Sequence, residues 1–295
     1  MASNNFFCFR LFWVLGLVFL HHSLSSQEAM REALGKVIDS ALNEISGMVA
    51  SRKHTGHFWV HNDSGDEARF FLIDGHANLK ATYYLENIEV HDLEDIAWLT
   101  IDNKPHLLLA DMGDNRAVRK DIKLHLLEEP VFDESTKEYR VAKHQIQTFT
   151  LSYPDKARDA EALFVDPIDQ CVYIISKRDF QSIVFSVKLF DKKNEEHLTL
   201  QPIQTLPFHF VTAADISADG KSILIKNLIQ VFYYERKKGQ TIAEAFSASY
   251  HTLNYLPEPQ GEAIAFDLNK TDFYTLSERP FGLDAYLYKY KLWKK

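Results

Sequence analysis

Cysteine is nearly absent from this chain, whose 295 residues include two, Cys8 and Cys171. Cys8 lies in an apolar N-terminal segment, so a chain cleaved after that segment keeps only Cys171 and can form no internal disulfide. Cys171 lies in an apolar run, where a buried, unreactive thiol is a better expectation than a nucleophile. We therefore expect the fold to be stabilised by its core or by ring closure.

Basic charge is also scarce, because 33 Lys and Arg face 41 Asp and Glu and give a net charge of -8. Such a chain has no general basic field with which to hold nucleic acid or an anionic membrane. A small anionic ligand, or an envelope or extracellular partner, remains open as a binding partner through a local basic site. The sequence leaves the oligomeric state open.

Apolar runs long enough to span a membrane are missing as well. Leu11–Leu20 provides ten apolar residues, whereas a spanning helix needs about 20. Arg10 precedes this run, and Ser23, Ser25 and Ser26 offer small residues for cleavage. The pattern is typical of a signal peptide, predicted over residues 1–26, and indicates a secreted or periplasmic protein with no stable membrane span after cleavage. An uncleaved anchor is the alternative.

Five similar segments recur along the rest of the chain. They are Glu44-Ile-Ser-Gly-Met, Asp92-Leu-Glu-Asp-Ile, Asp159-Ala-Glu-Ala-Leu, Thr212-Ala-Ala-Asp-Ile and Gln260-Gly-Glu-Ala-Ile. Their third positions are residues 46, 94, 161, 214 and 262, which gives spacings of 48, 67, 53 and 48. About 50 residues is the length of one four-stranded propeller blade with its loops. We interpret the polar stretch 132–143 in the longest interval as a hairpin-like insertion.

The repeat predicts an all-β fold, a single β-propeller of four-stranded antiparallel blades over residues 27–295. Five blades are favoured, and six are the alternative if the longest interval hides one. Only three strands are clear in the last unit, so we expect residues near 35–39 to close the ring. Helical periodicity is credible near 28–42, within a helical or extended lead-in at 27–43, and near 242–246. A β-sandwich is the minority alternative.

Several motifs resemble those of a family of secreted bacterial β-propeller proteins. They are Glu44-Ile-Ser-Gly, Trp59-Val-His-Asn-Asp-Ser-Gly, Gly113-Asp-Asn with Arg119, and the four later repeat segments. The resemblance covers about residues 44–278 and implies the fold and export, but no particular activity. Leu93 replaces the usual Trp, and Arg279 stands where a Gly is common, which puts the fifth mouth position in doubt.

Polar residues fall at two equivalent places in each repeat. In a propeller blade, the start of the innermost strand and the end of the next strand lie on the same face. The acidic inner-strand starts include Glu94, Asp95, Glu161, Asp215 and Glu262. Polar second-strand ends, which we predict to bind ligand, are His61, Asn62, Asp63, Asp111, Asp114, Asn115, Arg116, Asn227, Glu278 and Arg279. Ring closure would bring all of them to one mouth.

Carboxylates that converge on one axis need a compensating cation or hydrogen-bond donors. Calcium takes six to eight oxygen ligands in flexible geometry, so we expect a calcium site formed by Glu94, Glu161, Asp215 and Glu262. Softer metals are disfavoured by the scarcity of cysteine and of matched histidines. The alternative is that these carboxylates cap neighbouring blades and pair with nearby Arg and Lys residues.

The basic residues at the predicted mouth indicate hydrolysis of an anionic substrate as one candidate function. A metal-dependent hydrolase would use Glu94 or Asp95 as general base, and Lys177, Arg178 and Lys226 as charge stabilisers for a small anionic phosphoester or lactone-like substrate. The alternative is that these three basic residues only form salt bridges between blades. A non-catalytic extracytoplasmic binding module and a purely structural calcium ion are the competing interpretations, and the propeller fold alone does not choose among them.

Overall fold

The computed structural model describes residues 31–190 and 197–292, so the predicted signal peptide at 1–26 lies outside the described residues. Over these ranges the chain forms 22 β-strands and one short α-helix. The strands form five sheets, each of four or five strands, arranged as a five-bladed β-propeller. The predicted all-β propeller is confirmed, with five blades and not six.

The strands are numbered in chain order and grouped by blade. Blade 1 contains β2 (Ile45–Ala50), β3 (His57–Asn62), β4 (Arg69–Asp74) and β5 (Leu79–Leu85); blade 2 contains β6 (Leu93–Ile101), β7 (Lys104–Asp111), β8 (Ile122–Glu128) and β10 (Ile146–Ser152). Blade 3 contains β11 (Ala160–Val165), β12 (Val172–Ser176), β13 (Ile183–Val187) and β15 (Gln201–Thr205). Blade 4 contains β16 (Val211–Ile216), β17 (Ser222–Asn227), β18 (Val231–Glu235) and β19 (His251–Leu253). Blade 5 contains β20 (Ala263–Phe266), β21 (Asp272–Leu276), β22 (Tyr286–Lys291) and β1 (Arg31–Lys36).

The innermost strands pack on neighbouring blades through both faces. Every residue of β2, β11 and β16 is buried, which explains why these strands read as apolar runs without alternation. Apolar side chains fill the spaces between adjacent blades. The core therefore lies between the blades, and the polar ends of the inner strands are left at the faces of the ring.

The ring is closed by the N-terminal strand. β1 pairs antiparallel with β22, with Arg31 opposite Tyr290 and Lys36 opposite Tyr286, which confirms closure by residues close to those predicted. The helical expectation for residues 28–42 is wrong over its described part, because 31–36 form this strand. Pairing with the open edge of β22 outweighs a local helical preference, which is weak in a segment this short.

The outer edges of the first two blades are covered by strands from the connections of the next blade. β9 (Glu138–Val141) and β14 (His197–Thr199) add parallel fifth strands to the outer edges of β5 and β10. The predicted hairpin-like insertion at 132–143 is therefore wrong, because its strand pairs with blade 1. The predicted helix near 242–246 is confirmed as α1 (Ile242–Ser247), which contacts β15. Covered edges protect a propeller against intermolecular strand pairing.

A β-bulge interrupts the start of each of the first four inner strands. The register shifts leave Ser46, Glu94, Glu161 and Thr212 unpaired. A bulge re-aims its extra side chain, and here it turns these four toward the mouth. Thr212 is thus the equivalent of Glu94, which corrects the sequence alignment that had placed Ala214 there. Among the described helices, none is long and apolar enough to cross a membrane.

Candidate functional site

Seven carboxyl groups lie together where the inner strands begin. Possible ligand oxygens lie within 4.8 Å of one another in three groups, Asp63–Asp92–Glu94, Asp63–Glu262–Glu278 and Glu94–Asp159–Glu161. Shared members join the groups into one cluster, which we call the acidic mouth: Asp63, Asp92, Glu94, Asp159, Glu161, Glu262 and Glu278. Its members come from blades 1, 2, 3 and 5. Closure of the ring therefore brings together carboxyl groups that are far apart in the sequence.

Lys177 lies inside the acidic mouth. This lysine follows β12, and its ammonium forms ion pairs with Glu161 of its own blade and, at 3.4 Å, with Glu262 of blade 5. Burial lowers the pKa of Lys177, but the charges of Glu161 and Glu262 outweigh burial and leave the pKa raised. Lys177 therefore stays charged, and one ammonium offsets only part of the surrounding negative charge.

Burial and neighbouring carboxylates raise the pKa of three carboxyl groups of the mouth, Asp92, Glu94 and Glu278. Burial, reinforced by the charge of Glu161, raises the pKa of Glu94 well above its usual range. Burial and the nearby Asp63 raise the pKa of Asp92 to about 7. Burial and the adjacent Glu262 raise the pKa of Glu278 to about 8. A bound cation would favour the ionised forms of these three groups.

Gly113 allows two of these carboxylates to approach the backbone. A Cβ atom at residue 113 would lie 2.2 Å from Glu94 Oε1 and 2.4 Å from Asp92 Oδ2. Only glycine leaves space for both oxygens, since any larger side chain would displace them. The family-like Gly-Asp-Asn motif thus has a steric reason: its glycine forms the wall against which Asp92 and Glu94 lie.

Asp63, Asp92 and Glu94 fit a hard cation best. Glu94 is 2% exposed, and the Ser46 hydroxyl donates a weak hydrogen bond of 3.4 Å to its Oε2. Asp92 Oδ1 is buried without a hydrogen-bond partner. Carboxylates from adjacent blades, with Glu94 buried and weakly hydrogen-bonded and one oxygen of Asp92 unpaired, match the donor type and flexible geometry that calcium takes.

The next part of the mouth has its charges already paired. Asp159 accepts hydrogen bonds from the Asp114 amide at 2.9 Å and from Arg178 Nε at 2.6 Å. Arg178 also donates to Asn115. The structure therefore places Arg178 and Asn115, which we predicted as charge stabiliser and ligand-binding residue, in an interblade network. Arg116 is exposed in the same loop.

A second network fixes the loop after β7. Asp111 is fully buried and forms an ion pair of 2.8 Å with Arg119, and it accepts the Asp92 amide at 3.0 Å. Asp114 Oδ2 accepts the Arg119 amide at 2.6 Å. The structure thus places Asp111 and Asp114, which we predicted to bind ligand, where they hold Asp92 and Gly113 in position.

Asp95 and Asp215 lie away from the acidic mouth and connect adjacent inner strands. The Asp95 carboxylate accepts the amides of Ile96 and, across the blade boundary, Leu163, both at 2.8 Å. Asp215 accepts the amides of Ile216 and Phe266, both at 2.7 Å. Our predictions of Asp95 as a general base and of Asp215 as a metal ligand are not supported by this placement. The shift of one bulge explains why the sequence alignment misplaced Asp215.

Lys226 forms a separate buried site with residues that the sequence analysis missed. Its ammonium is fully buried, donates to the carbonyls of Gly261 and, at 3.1 Å, Asn227, and lies 4.7 Å from the centre of the Tyr255 ring. Burial lowers the pKa of Lys226 to about 8, against the raising effect of Glu258. Glu258 lies between two prolines in a link between blades, outside the repeat positions, so nothing in the repeat indicated it.

The remaining predicted ligand residues have structural partners. His61 is fully buried, its Nδ1 lies 2.9 Å from the Asn62 carbonyl, and burial lowers its pKa to about 4. Asn62 donates to the Ala41 carbonyl at 2.8 Å, and Asn227 accepts the amide of Gln230 at 2.8 Å. These three side chains shape the turns that carry the mouth residues.

Arg279 and Glu278 line a cleft beside the acidic mouth. The cleft has a volume of about 310 Å3 and is lined by Asn43, Glu44, Glu278, Arg279, Pro280, Phe281 and Gly282. The Arg279 amide donates to the Asn43 carbonyl at 2.8 Å, which joins blade 5 to the link that enters blade 1. Both residues thus lie at the mouth as predicted.

Solved structures include proteins that are similar to this chain. No family model matches the chain, and no curated protein matches it. A structure titled as the PQQ-bound aldose sugar dehydrogenase of Streptomyces coelicolor is similar at 12% identity and a TM-score of 0.48, over 88% of this chain and 97% of that chain. A nidogen–laminin complex is similar at 9% identity and a TM-score of 0.45, over 82% of this chain and 74% of that chain. At these values the likenesses carry no functional argument.

Proposed function

We propose that this protein is an exported, calcium-binding β-propeller that acts as a non-catalytic binding module, with the ion held by Asp63, Asp92 and Glu94. The observation that carries the calcium site is the approach of three carboxylates from blades 1 and 2 within 4.8 Å, against a glycine that leaves room for their oxygens. Export rests on the N-terminal segment and on the resemblance to secreted bacterial propellers.

The binding interpretation is favoured over catalysis by the state of the basic residues. Lys177 is paired with Glu161 and Glu262, and Arg178 is paired with Asp159. Lys226 is fully buried. Because these three cations are paired or buried, they are not available to stabilise an anionic transition state at the mouth, and the prediction of them as charge stabilisers loses its basis.

A metal-dependent hydrolase is the second candidate, and one observation favours it. Asp63 and Asp92 are partly exposed, so water can reach an ion held between them and become its nucleophile. In this candidate Glu94 is both ligand and base. Screening phosphoesters and lactones with and without calcium tests it, because turnover that Glu94→Gln abolishes would support the enzyme, and full activity of that variant would exclude the role of Glu94.

Thermal unfolding with and without calcium tests the proposed site. Saturating calcium should raise the melting temperature of the chelator-treated protein by about 5 °C or more, since ligand binding stabilises the native state by mass action. Glu94→Gln should abolish that increase, while Glu134→Gln, at an exposed position, should keep it. Equal melting temperatures in calcium and in chelator for the unaltered protein would overturn the calcium site.

A further inference from the structure

Exposed hydrophobic side chains are concentrated on the face of the acidic mouth. The described residues include ten exposed large hydrophobic side chains, and seven of them lie in loops on this face. We call these seven the apolar collar: Ile38, Val118, Phe180, Phe210, Ile229, Phe281 and Leu283. The collar residues belong to loops between second and third strands, or to links that enter an inner strand, and both kinds of loop lie at the mouth.

The collar side chains are presented to solvent. Phe281 and Phe180 are 103% and 95% exposed, and Val118 is 73% exposed. Single exposed hydrophobic residues are common on protein surfaces. A concentration of them on one face, around a polar centre, instead marks an interaction surface.

Two collar phenylalanines also occupy an unfavourable backbone conformation. Phe210 and Phe281 have φ values of 55° and 56°, a left-handed region in which bulky residues are uncommon. Glycine or asparagine would adopt it more easily. Backbone preference therefore does not explain phenylalanine at these positions, whereas contact of an exposed ring with a partner does.

The negative charge of the acidic mouth, which the collar surrounds, favours a cationic partner. The acidic mouth has seven carboxyl groups, with Lys177 inside it and Arg178 paired with Asp159, so its carboxyl groups outnumber its cations. The adjoining cleft of about 310 Å3 is lined by Glu44, Glu278 and Phe281 among others, with Arg279 as its one basic lining residue. A site that combines carboxylates with an aromatic face is complementary to a cationic side chain, and it repels an anionic membrane surface.

We propose that the mouth face docks a protein segment that places a lysine or arginine side chain into the acidic mouth and packs flanking apolar residues on the collar. This inference rests on the binding-module function proposed above, but not on its calcium site. Calcium and the basic side chain require the same carboxylates, so calcium competes with docking.

Fluorescence anisotropy with four labelled peptides tests the docking surface. The probes are Gly-Leu-Phe-Lys-Phe-Leu-Gly, its variants with Glu or Gln in place of Lys, and Gly-Ser-Ser-Lys-Ser-Ser-Gly. We expect the first peptide to bind chelator-treated protein at least about tenfold more tightly than the other three, because each of them lacks one of the two complementary features. Added calcium should weaken that binding in proportion to its occupancy of the mouth.

Matched variants locate the binding to the collar. Phe180→Ser, Phe281→Asn and Glu278→Gln should each weaken binding by about threefold or more; asparagine is chosen at 281 because it tolerates the left-handed backbone. Ile168→Ser, at an exposed position on the opposite face, should leave binding unchanged. Circular dichroism melts confirm that each variant is folded.

Three results would overturn the proposal. They are no binding of the Lys peptide at about 1 mM, equal binding of the Lys and Glu peptides, or retention of the protein on phosphatidylcholine–phosphatidylserine vesicles through the collar residues. Failure of calcium binding with intact peptide binding would leave the docking surface standing and remove the calcium site alone. Calcium binding without peptide binding would leave the calcium site standing and remove the docking surface alone.

Discussion

The ammonium of Lys177 lies 3.4 Å from the carboxylate of Glu262, so that the third and fifth blades form an ion pair across the mouth. The side chains of both residues are nearly buried, at 10% and 4% exposure. A buried ion pair that spans the axis of a ring depends on closure of the whole ring. Its energetics therefore report on the mouth and the fold together.

Removal of this cation should destabilise the protein. Lys177→Met leaves Glu161 and Glu262 buried without their counter-charge, and the loss of one partner from a buried pair costs about 3–5 kcal/mol. Urea unfolding in chelator at neutral pH measures the effect. Lys156→Met is the control, since Lys156 is 65% exposed and its partner Asp179 keeps its ion pair with Arg158, so that the loss should be less than about 1 kcal/mol. Equal losses in the two variants would contradict the role of Lys177.

The raised carboxyl pKa values predict how stability depends on pH in chelator. Groups whose folded pKa is raised stabilise the protein fully below their unfolded pKa, and lose that contribution as pH rises through the folded value. For Asp92 and Glu278 those folded values are about 7 and about 8. The free energy of unfolding should therefore fall as pH rises from about 6.5 to about 8. Buried His61, whose pKa is lowered to about 4 in the folded protein, affects the pH dependence only below about 6.5.

Two comparisons isolate the cause of that slope. The double variant Asp92→Asn/Glu278→Gln should make the pH profile shallower, because two of the titrating groups are gone, while Asp215, whose pKa burial raises to about 7, still titrates. Calcium should also flatten it in the unaltered protein, because a bound cation lowers the pKa of its ligands. A slope that is unchanged by the double variant would assign the pH dependence to other groups.

Asp215 should affect stability without affecting the mouth. Asp215→Asn keeps one acceptor oxygen for the amides of Ile216 and Phe266, and one of those buried donors is left unpaired at a cost of about 1–3 kcal/mol. Chemical denaturation measures that loss. Calcium-induced stabilisation should persist in full, and its disappearance would restore Asp215 as a ligand.

Gly113 should be required for the cation site. The Cβ of Gly113→Ala would collide with Glu94 Oε1 and Asp92 Oδ2, which forces the carboxylates apart and should weaken calcium affinity by about tenfold or more. Gly75→Ala is the control, because its nearest contact is a milder 3.3 Å to the Gly56 carbonyl. Unaltered affinity in Gly113→Ala would show that the ion lies elsewhere.

The repeat made the fold and the region of the site predictable. Spacing near 50 residues identified the blades, and the alternation of strand direction placed Glu94, Glu161 and Glu262 at one face. Asp215 was misplaced because a bulge adds one residue to the pairing without any mark in the sequence. The parallel strands β9 and β14 were missed because both pair with a neighbouring blade, and four-residue or shorter segments contain little local signal.

Isothermal titration of the chelator-treated protein with calcium chloride tests the central claim most directly. We expect a saturable heat with about one ion per chain, its loss in Glu94→Gln, and its retention in Glu134→Gln. Proton release should accompany binding, because carboxyl groups with raised pKa values must ionise. The absence of saturable heat in buffers of different ionisation enthalpy, or equal binding by Glu94→Gln, would contradict it.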